Sequence, residues 1–190
     1  MKHTDILEML DKANALLKGH FLLSSGLHSG EYLQCALLLR YPAYAQELCR
    51  RLAEKFKFER IDLVVGPAYG GIIVAYELAR ALGVRAIFTE RKDGEMQLRR
   101  GFKIEKGERI LIAEDVITTG KSVKEVIKAL KSYRPKIVSV ASLINRSGKK
   151  DVFGKTPLES LKNIKIKSYA PDKCPLCKKK IPLIKPGSRA

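Results

Sequence analysis

The stretch Ile110-Leu111-Ile112-Ala113-Glu114-Asp115-Val116-Ile117-Thr118-Thr119-Gly120-Lys121-Ser122 runs from an apolar strand into two adjacent carboxylates, then into small hydroxyl residues and a glycine. An amphipathic helix follows, with Val123, Val126, Ile127 and Leu130 on one face. Small residues let successive backbone N–H groups turn toward one point, and a helix N-terminus adds partial positive charge. The loop is therefore expected to hold a phosphate monoester. Glu114 and Asp115, one strand end away, are placed to accept hydrogen bonds from vicinal sugar hydroxyls, and Asp115 suits positive charge developing on a sugar ring. An acidic strand end before a capped helix is the plainer alternative, but the full pattern favours ligand binding.

Outward from this segment the same alternation repeats. Ile61 to Val65, Val84 to Thr89 and Lys136 to Ile144 read as short β-rich strands, with helices at 70–82 and 121–133 between them. Strands separated by helices predict right-handed βαβ units and a doubly wound, mainly parallel α/β sheet of five strands, whose ligands belong at the carboxyl ends of the strands. Residues 90–107 interrupt the alternation with polar, glycine-containing sequence and a hairpin expected around Met96 to Ile104, long enough to act as a lid. Toward the N-terminus, Ile6, Leu7, Leu10, Ala13, Leu16 and Leu17 carry helical spacing over 3–17. Phe21 to Leu33 reads as extended segments joined by a turn, and a helix runs from Pro42 to about Lys57. Beyond Gly148 lies a Pro- and Lys-rich appendage with one expected strand, Ile164 to Tyr169.

A chain of 190 residues is expected to form one domain, with a core at about 58–148 and a small hood from about 1–40 and 149–190. With 45% hydrophobic and 30% charged residues the chain can bury a sizeable core, which excludes wholesale disorder. Its apolar runs are far shorter than the roughly 20 residues a membrane-spanning helix needs, and no secretory signal is visible, so the protein reads as cytoplasmic with no membrane partner. The net charge is +17, of which +9 falls in residues 149–190. A basic surface suits nucleic acid or small polyphosphates alike; without Trp or an aromatic RNA-binding motif, nucleic acid is the less favoured partner.

Two look-alike motifs fail. Gly120-Lys121-Ser122 lacks the P-loop's glycine five residues earlier, where Asp115 stands, and Gly66-Pro67-Ala68-Tyr69-Gly70-Gly71 is not a dinucleotide fingerprint. What the two segments resemble instead are the phosphoribosyl pyrophosphate (PRPP) signature and the pyrophosphate loop of type I phosphoribosyltransferases. Gly19-His20-Phe21-Leu22-Leu23-Ser24-Ser25-Gly26-Leu27-His28-Ser29 and Asn145-Arg146 resemble the orotate phosphoribosyltransferases within that family. The likeness covers about 18–148 and continues weakly through Cys174-Pro175-Leu176-Cys177 to Lys185-Pro186-Gly187-Ser188-Arg189.

The resemblance implies transfer of phosphoribose from PRPP to orotate, giving orotidine 5′-monophosphate and pyrophosphate in pyrimidine nucleotide synthesis. It assigns PRPP to Ala68, Tyr69, Arg91, Glu114, Asp115, Val116, Ile117, Thr118, Thr119, Gly120, Lys121 and Ser122. Orotate falls to Thr118 and Arg146, and the catalytic roles to Lys92 and Asp115. It further implies Mg²⁺ held mainly through PRPP, and a homodimer whose lid reaches the neighbouring site. The chain departs from the better-known orotate pattern R-K-E-x-K-x-H-G at Arg91-Lys92-Asp93-Gly94-Glu95-Met96-Gln97, and it has Gly70 and Ser24 where that pattern has lysines. Arg99 and Arg100 are candidate replacement cations. A phosphoribosyltransferase for another base, such as a purine, and a PRPP-sensing regulator that binds nucleic acid remain as alternatives.

Cys174-x-x-Cys177 has zinc-ligand spacing but supplies two of four ligands. The others would come from Cys35, Cys49, a histidine or a second subunit, and a redox pair or a plain turn fits as well. No metal ligand is assigned, and His20 and His28 receive no catalytic role.

Overall fold

A computed structural model describes residues 5–23, 25–149 and 151–186. Ser24, Lys150 and the ending Gly187-Ser188-Arg189 lie outside the described residues. The elements are α1 (Ile6–Lys12), β1 (Leu16–Leu22), β2 (His28–Leu33), α2 (Cys35–Leu39), α3 (Pro42–Ala53), β3 (Leu63–Pro67), α4 (Gly70–Leu82), β4 (Arg85–Lys92), β5 (Glu95–Leu98), β6 (Arg109–Ile117), α5 (Lys121–Leu130), β7 (Lys136–Asn145), β8 (Leu158–Asn163), β9 (Ser168–Tyr169) and α6 (Pro175–Lys178). They group into two compact units, Leu39–Ile164 and the pair of terminal segments Met1–Leu38 with Lys165–Ala190. No helix among the described residues is long and apolar enough to cross a membrane.

The larger unit is a six-stranded sheet in the order β5-β4-β3-β6-β7-β8. Five strands are parallel, and β5 closes one edge antiparallel to β4. Leu63, Val64, Val65 and Ile110 to Ala113 are fully buried, as strands covered on both faces require. Leu63, Val65, Ile110 and Ile112 join Val123, Val126 and Leu130 of α5 in one core. The alternate residues Val64 and Leu111 turn to the other face, where α4 packs on β3, β4 and β6, and α3 packs on α4, β7 and β8.

The fifth parallel strand is β8 at Leu158–Asn163, not Ile164 to Tyr169. As an edge strand β8 has no fully buried residue, so its sequence carries little hydrophobic signal. Of the expected strand only Ser168–Tyr169 forms, and it pairs with β2 in the smaller unit. Residues 149–164 accordingly group with the sheet rather than with the terminal segments.

The hairpin of the polar segment also differs from expectation. Its turn is Asp93-Gly94, at φ 53° and 81°, joining β4 to β5. Positive φ at both positions gives the twist a two-residue hairpin needs. Met96 and Ile104 are buried, and Phe102 meets Phe88 edge to face at 5.2 Å. Thr89 is the last β4 residue paired with β3, so Glu90, Arg91 and Lys92 overhang the carboxyl edge.

In the smaller unit, β1, β2 and β9 form an antiparallel sheet. Asp5 caps α1 by accepting from the Leu7 amide at 3.2 Å. The helical spacing through Leu17 is broken after Lys12, where Asn14 adopts φ 50°, and Leu16 and Leu17 open β1 opposite Leu33 and Tyr32.

Replacing Ile112, fully buried between β6 and α5, by Ala should cost about 2–5 kcal/mol. The check is the urea midpoint, which should fall with no change in the slope of the transition.

Candidate active site at the carboxyl edge of the sheet

The parallel strands deliver Pro67, Ile117 and Asn145 to one edge, with the β4–β5 hairpin overhanging it. From β3 the chain crosses through α4 to β4 on one side, whereas β6 lies on the other. Such a reversal opens a crevice. There the loop Gly66–Gly71 lies directly on β6. A Cβ at Gly66 would stand 2.1 Å from the Gly71 carbonyl oxygen, and one at Gly71 would stand 2.7 Å from Pro67 Cδ and 3.1 Å from the Ala113 oxygen. A Cβ at Gly70 would stand 2.4 Å from Asp115 Oδ2, so glycine lets that carboxylate lie against the loop in this position. Asp115 thus sits against the N-terminus of α4, whose amide dipoles favour its charge.

Asp115 Oδ1 also accepts from the Val116 amide at 2.7 Å, and the Asp115 amide donates to Glu114 Oε1 at 3.2 Å. Burial, and then the neighbouring Asp115 charge, push the Glu114 carboxyl well above the usual carboxylate range. Burial raises Asp115 as well, against the lowering effect of its hydrogen bonds. Two carboxylates kept close and partly dehydrated favour a ligand that brings hydroxyl donors and positive charge.

Beyond them the chain turns through Thr118-Thr119-Gly120 into α5. Gly120 has φ 72°, and a Cβ there would lie 2.7 Å from both Val152 Cγ1 and Phe153 Cε1, so both backbone and space require glycine. Thr119 Oγ1 accepts from the Lys121 amide at 3.3 Å. Thr118, Thr119 and Lys121 are exposed, Val116 and Ser122 half-buried. Ile117 turns its side chain into the core and contributes backbone, its carbonyl accepting from the Arg146 amide at 2.7 Å.

That bond brings Arg146 beside the loop. The turn carrying it is fixed by buried Asn145, whose Oδ1 accepts from the Ser147 amide at 2.9 Å and the Ser147 hydroxyl at 2.6 Å. Its Nδ2 donates to the Lys149 carbonyl at 2.9 Å. Thr118 and Thr119 line a cavity of about 240 Å³ with Lys124, Ser147, Lys149, Asp151 and Val152. Sequence reasoning passed over Lys124, Ser147 and Lys149. Their position, one helical turn into α5 and just past a parallel strand, was the available signal.

Ala68 and Tyr69 form the crest of the glycine loop, joined by a cis peptide, with Tyr69 82% exposed. Arg91 pairs with Glu125 of α5, while Arg99 and Arg100 both pair with Glu90. Of the cations between residues 91 and 100, Lys92 alone makes no ion pair with the described residues. For a divalent ion the crevice offers Glu114 and Asp115. Two carboxylates fit Mg²⁺ if most of its six oxygens come from a ligand and water.

A carboxyl raised on folding loses stability as pH climbs from its unfolded value through its folded one, because the folded state then holds a proton the unfolded state has released. Glu114→Gln removes that penalty and can donate to Asp115. Its melting temperature should exceed the parent's at neutral pH, the advantage shrinking as pH falls through the ordinary carboxylate range. Calorimetry across that range checks this.

Residues 38–171 match the phosphoribosyl transferase domain model. Over 100% of its length the chain is 55% identical to the orotate phosphoribosyltransferase of Caldanaerobacter subterraneus subsp. tengcongensis, covering 99% of that protein. It is 56% identical to that of Caldicellulosiruptor saccharolyticus, over 96% of this chain and 95% of the relative. Among solved structures, the orotate phosphoribosyltransferase from Aeropyrum pernix matches with a TM-score of 0.68 and 26% identity, over 82% of this chain and 92% of that one. The PRPP-type loop, the glycine loop packed against it and these full-length relatives lead to one conclusion: the chain belongs to the phosphoribosyltransferase family, among the orotate phosphoribosyltransferases.

Proposed function

We propose that the protein transfers the phosphoribosyl group of PRPP to orotate, releasing pyrophosphate and forming orotidine 5′-monophosphate for pyrimidine synthesis. The observation that carries the reading is the meeting of the Gly66–Gly71 loop with Glu114-Asp115 and the Thr118–Gly120 loop at one crevice. The names of relatives 55% and 56% identical support the choice of base.

The 5-phosphate fits the small-residue turn from Thr118 to Ser122, where first-turn amides of α5 point outward without helical partners. Glu114 and Asp115 accept from the ribose 2- and 3-hydroxyls. As the bond from C1 to the pyrophosphate oxygen breaks and the bond to orotate N1 forms, positive charge spreads over the ring, and Asp115 stabilises it. Ala68, Tyr69 and Arg91 border the pyrophosphate side, with Lys92 as the cation available to the departing charge. Mg²⁺ bound through PRPP supplies further neutralisation of that charge. Thr118 and Arg146 hold orotate, whose planar carboxylate suits a guanidinium fork. The excess of basic residues favours these anionic substrates.

Orotate absorbance should fall with PRPP and Mg²⁺ present, while uracil, adenine, guanine and hypoxanthine persist. Arg146→Ala should lower kcat/KM for orotate about 10- to 100-fold through lost charged hydrogen bonds. Consumption of a purine instead would overturn the choice of base.

The reading includes a homodimer in the cytoplasm. Tyr69, Ile73 and Tyr76 form an exposed stripe along the start of α4, which a second copy would cover. If Lys92 acts in the neighbouring site, Lys92→Ala and Asp115→Asn homodimers will each be nearly inactive. A mixture exchanged by dilution and reconcentration will regain activity through hybrids holding one intact site; no recovery would assign Lys92 to its own chain's site.

A further inference from the structure

We infer that His20, His28, Cys174 and Cys177 form a four-coordinate zinc site that staples the two ends of the chain together within the smaller unit. Their ligand atoms all lie within 4.8 Å of one another, the one such group of His, Cys, Asp or Glu among the described residues. Four of the six separations lie near those of a tetrahedron, and the other two are within 4.8 Å. His20 Nε2 lies 2.9 Å from His28 Nδ1, 3.5 Å from Cys174 Sγ and 3.7 Å from Cys177 Sγ, and His28 Nδ1 lies 3.3 Å from Cys177 Sγ. Metal–nitrogen bonds near 2.0 Å and metal–sulfur bonds near 2.3 Å at tetrahedral angles put such atoms roughly 3.3–3.8 Å apart. For these four pairs, one ion at the centre needs shifts of a few tenths of an ångström.

The tautomer is also set. His20 Nδ1 lies 2.8 Å from the Ile181 carbonyl oxygen, which can only accept, so Nδ1 carries the proton and Nε2 turns a lone pair into the cluster. A backbone carbonyl behind a ligating imidazole is the usual support of a metal-bound histidine. Two nitrogens and two sulfurs with no open position match a structural zinc site rather than magnesium or calcium.

The unit also has a use for the ion. Of the described residues in 165–186, Cys174 alone is buried, so this segment adds almost nothing to a hydrophobic core. Small units of that kind rely on a metal or cross-link. His20 on β1 and His28 on β2 face cysteines more than 140 residues later, and an ion joining them ties both ends of the chain.

The full-length protein, purified without chelator, should contain about one zinc per chain by mass spectrometry. Stripped protein reloaded with Co²⁺ should give the intense visible bands of a tetrahedral site and a sulfur-to-cobalt charge-transfer band. Cys174→Ser/Cys177→Ser should lose both metal and bands and melt earlier, and Cys49→Ser, whose thiol is buried elsewhere, should keep them. His28→Asn is the second variant if the double one does not fold, and it should weaken zinc retention against a competing chelator at least tenfold. Wild-type protein that binds no Co²⁺, gives only weak octahedral bands, or holds Cys174 and Cys177 as a disulfide when isolated under reducing conditions would overturn the inference. None of these readouts depends on which base the enzyme uses.

Discussion

The tightest glycine constraint among the described residues is the Gly66–Gly71 loop, which folds closely on itself and against the end of β6. A single Cβ would stand 2.1 Å from the Gly71 oxygen at Gly66, 2.7 Å from Pro67 Cδ and 3.1 Å from the Ala113 oxygen at Gly71, and 2.4 Å from Asp115 Oδ2 at Gly70. Once the loop is seated there, the N-terminus of α4 faces Asp115, β3 and β6 must be neighbours, and α4 must leave toward β4. The crevice is thus a consequence of packing, and the carboxylates arrive in it because β6 ends there.

The electrostatics run against this packing. Two acids share a buried strand end, where burial raises the cost of both charges and Asp115 adds to that of Glu114, while the chain as a whole carries +17. In the proposed function this arrangement suits a hydroxyl-rich sugar that gains positive charge. Most hairpin cations are already engaged with Glu90 or Glu125, and among the described residues Lys92 makes no ion pair.

The smaller unit solves a different problem. It joins two segments from opposite ends of the chain with a short antiparallel sheet and little apolar burial from the C-terminal piece. The N-terminal piece buries Ile6, Met9, Leu10, Phe21, Leu33 and Leu38, whereas the C-terminal piece is held through His20, His28, Cys174 and Cys177.

The sequence by itself determined the parallel sheet, because strands buried on both faces must be continuously apolar, and it determined the Glu114 to Ser122 loop, whose residues are contiguous. It could not determine β8, an edge strand with no fully buried residue, nor the break after Lys12, where Asn14 and strand pairing override helical spacing. The approach of Gly70 to Asp115 and the convergence of two histidines on Cys174 and Cys177 were decided by tertiary structure alone. Each depends on groups brought within a few ångströms across turns, strands or most of the chain, and no local pattern of residues records a distance of that kind.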